Sequence, residues 1–332
     1  MMDYRIFKEV MREQILEHLP EEFKGSSVEL HEVTKVNQTL DGLVVLKPGE
    51  TTAPNVYINH LYEHYVNGDS IQDCLTQCVE VIVRGYDEMK EIKPQIDETK
   101  MNENVIMVLV NKEQNKDMLA NVPHRDFQDL AVIYRWVVDV SAKGIASSIV
   151  DNRLAERTGM TEPDLFQLAV ENTKRILPAK ITPMSEVIKE MLPFEMIEIG
   201  LADAIMAEIE SNPTKTMYVL TNESNINGAA CMLYENNLHE LAEKIGTDLY
   251  ILPSSIHESI LVSVEMGEPH DLAQMVNDIN MVCVDIADRL SNNVYHYDKD
   301  LRKVTLATDT PNKRLDGKVS EPPMVYESQM KR

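Results

Sequence analysis

The segment from Asp129 to Val140 constrains this chain most: it is apolar over nearly its whole length, yet Arg135 interrupts it. It falls well short of the roughly 20 apolar residues that a membrane-crossing helix requires. Its β-branched and aromatic residues suit a strand buried on both faces. The other long apolar run, Val105 to Val110, has the same character, so a sheet with a buried centre is expected here.

Around these runs, strand-like and helix-like periods alternate. Tyr4 to Leu19 repeats apolar residues at helical spacing until Pro20 stops it. Val28 to Val36 and Leu40 to Leu46 fit a hairpin closed before Pro48-Gly49, with Asn55 to Asn59 as a third short strand. Ile71 to Met89 is amphipathic through Leu75, Val79, Ile82 and Val83. A helix starts after Thr161, with Pro163 in its first turn, and runs to Ile176; another follows Pro183, from Met184 to Met191, and Leu192 to Glu210 continues the helical composition. Later, Met217 to Leu220 and Ala229 to Leu233 look like strands joined through an Asn-rich turn ending in Asn227-Gly228. Glu235 to Ile245 is helical with Gly246 at its C-cap; Asp248 to Leu252 and Ser259 to Val264 are strands, and His270 to Val284 is a helix.

The expected fold is α+β, with two mainly antiparallel sheet regions separated by a helical block. The expected division is an N-terminal α+β domain over 1–150, a helical connection over 151–210, a C-terminal α+β domain over 211–307 and a disordered tail over 308–332.

Composition narrows the functional classes. The chain has 332 residues and a formal charge of −23, from 55 acidic and 32 basic side chains. That charge repels phosphate backbones and anionic lipid, which argues against direct nucleic-acid or membrane binding. The acidic residues are scattered and form no block, as a DNA mimic's stripe would. The N-terminus lacks a secretory apolar core, and four cysteines without a compact framework suit a reducing compartment, so a cytoplasmic location is expected.

Several longer motifs carry a resemblance. Pro123-His124-Arg125, then Phe127, Asp129-Leu130-Ala131-Val132 and Tyr134-Arg135 form the first. Met217 to Asn222, Asn227 to Tyr234 and Leu249 to Glu258 form the strongest stretch, and Asn293-Val294-Tyr295 with Tyr297-Asp298 extends it. Together they resemble a bacterial family, domain of unknown function 5688, frequent in Clostridia, and the resemblance covers about Met1 to Leu306. It implies an uncharacterised bacterial protein, of a kind carried on mobile elements, with no assigned activity, substrate or cofactor. Relatives place Asn, Tyr or other polar residues where this chain has His60 and His64, which counts against a histidine site there.

His60-Leu61-Tyr62-Glu63-His64 spells H-x-x-E-H, in which two imidazoles one helical turn apart hold zinc and a glutamate acts as base. A strand end and the Asn67-Gly68 turn leave little room for that helix, and no third ligand is evident. Cys74 and Cys78, also four apart, would complete a Cys₂His₂ set, but two helix cysteines are ordinary core residues. His124-Arg125-Asp126 resembles a kinase catalytic loop, yet Ala131 stands where that loop needs a magnesium-binding Asn. Arg125 is expected to pair with a carboxylate, with His124 and Arg125 as binding candidates. Cys231, His257 and Glu258, with Ser254 and Ser255 nearby, are the candidates for nucleophilic chemistry, although no nucleophile elbow is present. No G-x-G-x-x-G, Walker A, C-x-x-C or EF-hand pattern occurs, and no cofactor is expected.

The leading expectation is a non-enzymatic module that binds another protein through Asn222, Asn227, Ser254, Ser255 and His257. An enzyme of unrecognised type using Cys231, and an acidic anti-defence factor, are the alternatives.

Overall fold

A computed structural model of the chain describes residues 2–91, 100–141, 144–191 and 213–308. Its contacts divide into two units, Met1–Ile96 and Asp97–Arg332.

The first unit packs three helices with a three-stranded antiparallel sheet. Helix α1 (Tyr4–His18) is capped by Asp3, whose carboxylate accepts the Ile6 N–H at 2.9 Å. Strands β1 (Ser27–Lys35), β2 (Gln38–Leu46) and β3 (Asn55–Tyr57) lie in that order, then come α2 (Ile58–Val66) and α3 (Ile71–Glu91). Asn37 takes the left-handed backbone (φ 62°) of the β1–β2 turn, a conformation that Asn tolerates. Phe7, Met11 and Ile15 of α1 meet Leu43 and Val45 of β2 and Leu75, Cys78 and Ile82 of α3 in a closed apolar core. Tyr86 crosses to the sheet, donating to the Val45 carbonyl at 2.8 Å.

The second unit holds two antiparallel sheets. After the turns α4 (Met101–Asn104) and α5 (Lys116–Leu119), the central strand is β6 (Leu130–Ser141). One of its edges pairs with β4 (Val105–Asn111); β5 (His124–Phe127) and β7 (Gly144–Ile149) divide the other, with a register shift between Val137 and Asp139. Helices α6 (Asn152–Thr158), α7 (Glu162–Ile176) and α8 (Met184–Met191) follow, with β8 (Ala179–Pro183) between the last two. A reciprocal bond between Thr161 and Asp164 starts α7.

The other sheet has six strands in the order β13-β12-β10-β11-β9-β8, with β9 (Tyr218–Asn222), β10 (Leu249–Leu252), β11 (Ser259–Ser263), β12 (Tyr295–Asp298) and β13 (Lys303–Leu306). Alternation sets its two faces. Leu249, Ile251 and Leu261 enter the main core with Leu165 and Ala169 of α7 and Leu238 and Leu241 of α9 (Glu235–Ile245). Leu252 and Val262 meet Leu272, Ala273 and Val276 of α10 (Pro269–Val282) on the opposite face.

A buried polar network fastens the two sheets together. Asp129, just before β6, accepts hydrogen bonds from Ser291 (2.6 Å), Asn293 (2.9 Å) and the Tyr295 hydroxyl. Asn280 of α10 donates to Asn292 and to the Ser291 carbonyl, and Asn111 at the end of β4 donates to the Leu290 carbonyl at 2.9 Å. Buried polar groups must find partners or cost stability, and these residues supply most of one another's needs, Asn280 Oδ1 being the exception.

The α+β class with antiparallel sheets is therefore as expected, while the organisation differs in five respects. The sheets number three among the described residues. The first division falls near residue 96 rather than 150, because Met107, Leu130 and Trp136 share one core with Leu220 and Tyr295. The stretch from 151 is not purely helical, since Ala179–Pro183 pairs with β9. Ala229 to Leu233 is no strand: Gly228–Leu233 forms a 3-10 helix. Thr308, placed at the start of the tail, is buried and bonds to Asn293 at 3.1 Å. The remainder of the tail and the helical reading of 192–210 lie outside the described residues. No described helix is long and apolar enough to cross a membrane.

Candidate functional site

At one end of the six-stranded sheet, three loops meet around His257. The loop after β9 is shaped by the Asn222 side chain, which donates to the Ile226 carbonyl at 2.7 Å and accepts from the Ser224 N–H at 3.0 Å. This works as an Asx-turn, a side chain standing in for backbone. Asn225 and Asn227 adopt the left-handed region, at φ 53° and 54°. Gly228 then passes so close to its neighbours that an added Cβ would lie 2.3 Å from the His257 carbonyl oxygen and 2.2 Å from Thr221 Oγ1. Only glycine fits there.

His257 ties the loops to one another. Its Nδ1 accepts the Asn227 N–H at 3.2 Å, which leaves the proton on Nε2, directed at Asp288 Oδ1 at 3.3 Å. Its carbonyl accepts from Thr221 at 2.8 Å, and its N–H donates to Ser255 Oγ at 3.0 Å. Ser255 bridges to Arg289, and the Ser254 carbonyl accepts the Leu290 N–H at 3.0 Å. Asn222, Asn227, Ser254, Ser255 and His257 thus come together. Asp288 stands 31 residues from His257, and no local pattern announces a pairing across a strand and a helix. Glu223, Ser224, Asn225 and Glu258 are the exposed residues at the loop tips.

The chemistry available here is limited. Cys231 lies in the 3-10 helix rather than at a strand end and is 1% exposed. Burial pushes its thiol up to about 12, so near neutral pH the thiolate needed for attack is scarce. Both ring nitrogens of His257 are engaged, and Ser255 meets it through the backbone N–H rather than the imidazole. Cys231, His257 and Glu258 therefore do not make a nucleophile–base pair in this geometry.

A family model, "Family of unknown function (DUF5688)", matches residues 4–299 and so runs through both units. The chain belongs to DUF5688. No curated protein and no solved structure matches it.

Within the first motif of the DUF5688 resemblance, His124 and Arg125 bond to residues outside these loops. His124 is exposed on β5, its Nδ1 directed at the Val122 carbonyl at 3.0 Å. Arg125 makes a two-pronged bond to Glu162, at 3.0 Å on each prong, and lies 3.8 Å from the centre of the Phe166 ring. Tyr134 donates to the same carboxylate at 2.5 Å. Burial opposes the charge on Glu162, but the bonds from Arg125 and Tyr134 outweigh it and hold its pKa below the usual range. This clamp fixes β5 and β6 to the start of α7, and Arg125 has the carboxylate partner expected of it.

The metal candidates also separate. His60 and His64 do lie on a helix, α2, rather than in a turn, since Tyr57 ends β3 early. Both are exposed, with Nδ1 atoms 3.9 Å from Glu63 and 3.5 Å from Asp69. Cys74 and Cys78 point into the core, where Cys74 donates to the Leu61 carbonyl at 3.4 Å and burial pushes Cys78 up to about 12. Among the described residues, no three His, Cys, Asp or Glu side chains group to hold a metal ion.

Proposed function

We propose that this DUF5688 protein is a cytoplasmic, non-enzymatic module that binds another protein, using the loops at 222–227 and 254–258. The main support is that these loops are held in one shape before any partner arrives: Asn222 folds one, and His257 joins it to the other and to Asp288. Loops fixed on a rigid sheet lose little freedom on binding, which favours recognition. The enzyme alternative has less support, because the thiol it requires is buried and protonated.

The partner is expected to be basic at the contact, given the exposed Glu223 and Glu258 and the overall charge of −23. The test is affinity purification of the tagged full-length chain from its native host, with mass spectrometry and zinc analysis of the same sample. A stoichiometric partner that is lost when Glu223→Lys and Glu258→Lys are combined supports this reading. Recovery of the chain alone, or of a partner indifferent to those changes, removes its basis.

A further inference from the structure

The apolar face of helix α10 is wider than a helix lying on a sheet needs. Leu272, Ala273 and Val276 are buried against β10 and β11. Beside this buried stripe Met275 and Ile279 are each 42% exposed and Val282 is 83% exposed, spaced four and three residues apart so that they form one row. Ile286, 37% exposed, follows in the turn that leads to Asp288 and His257. Contiguous apolar rows of this kind, edged by charge, mark places where something docks.

The edge is acidic. Asp271 and Asp278 are exposed along one flank of the row, and Asp285 caps the turn that carries Ile286. From Lys244 to Arg289 the sequence contains no intervening lysine or arginine. Among the described residues Asp278 accepts only the neutral amides of Gln274 (2.8 Å) and Asn277 (3.4 Å), and Asp285 accepts the Ala287 N–H at 2.9 Å. Their charge is left for a partner to meet.

We infer that the row Met275, Ile279, Val282 and Ile286 is a docking surface for an amphipathic helix whose own apolar ridge is edged by lysine or arginine. The inference rests on the protein-binding reading and names its partner's chemistry. Charge selects this occupant over others: a second copy would set Asp271 and Asp278 against their own kind, and anionic lipid would meet the same repulsion. Apolar side chains of the ridge would fill the row while cations paired with the flank, the helix-to-helix mode of recognition.

The test uses the full-length chain and two fluorescent helical peptides of roughly 20 residues. They share one leucine-rich ridge and differ only in carrying lysine or glutamate beside it. Fluorescence anisotropy is expected to show binding of the lysine peptide alone, weakening as salt rises. Val282→Glu with Ile279→Ser should weaken it at least tenfold; because the glutamate adds charge that favours the peptide, that loss reports the apolar row. Asp278→Lys should weaken binding several-fold, mainly at low salt. No binding of the lysine peptide, equal binding of both, binding indifferent to the row substitutions, or a native dimer that Val282→Glu dissociates would each overturn the inference. A host partner lost on the Glu223 and Glu258 changes but retained by Val282→Glu would also sink it while leaving the protein-binding reading intact.

Discussion

At about pH 7.5 iodoacetamide is expected to mark Cys283, which is exposed, and to leave Cys74, Cys78 and Cys231 untouched until the chain is unfolded. Mass spectrometry of peptides before and after denaturant checks this; labelling of native Cys231 as fast as Cys283 would restore the nucleophile. The Glu162 clamp gives a pH-dependent counterpart. A carboxylate whose folded pKa lies below its unfolded value adds stability above the unfolded value, near 4.3, and loses it as pH falls through the folded one. Glu162→Gln should therefore lower stability by on the order of 1–2 kcal/mol at neutral pH, with the difference shrinking as pH falls below about 4. Urea titrations at both ends of that range check the sign. Asp288 and Glu162 were invisible in the sequence for one reason: each meets its partner 31 and 37 residues away, and single carboxylates carry no period or motif.

Elements were legible where the local pattern and the tertiary environment agree. Thr161 and Asp164 announce α7 in four letters, and the structure uses them as a reciprocal cap. Thr161→Ala should cost about 1 kcal/mol, seen as a lower melting temperature. The segment after Asn227-Gly228 shows the opposite case. That pair is a strong hairpin signal, yet the chain turns into a 3-10 helix because Gly228 is pressed against Thr221 and the His257 carbonyl. A contact 29 residues ahead overrides the local preference. Gly228→Ala should destabilise by roughly 1–3 kcal/mol, as overpacking does, and separate Asn227 from His257; loss of the His257 to Asn227 coupling by NMR would report it. Strand β8 has no local signal for a similar reason, since Pro178 precedes and Pro183 ends five residues that become a strand only by pairing with β9.

The whole chain was readable as α+β, whereas its division was not. Strand runs before and after the helices of 151–191 look like two sheets of two domains, and only pairing partners and a shared core reveal that they belong to one unit. The first unit closes its own core from Phe7 to Tyr86, so a fragment of residues 1–96 is expected to unfold cooperatively by circular dichroism. Asp129→Ala, by contrast, should destabilise the second unit by several kcal/mol, because it removes the carboxylate to which Ser291, Asn293 and buried Tyr295 all donate. Calorimetry of the full-length chain should then show one transition shifted and the other kept.

That same carboxylate sets a schedule for synthesis. Asp129 leaves the ribosome some 160 residues before the groups that bond to it, Ser291, Asn293 and Tyr295. The first unit can finish while translation continues, but the second must wait with β6 made and its last fasteners still unborn. A message cut short before codon 291 would therefore yield one folded unit carrying a long, open and apolar remainder, a substrate for chaperones and proteases rather than a smaller working protein.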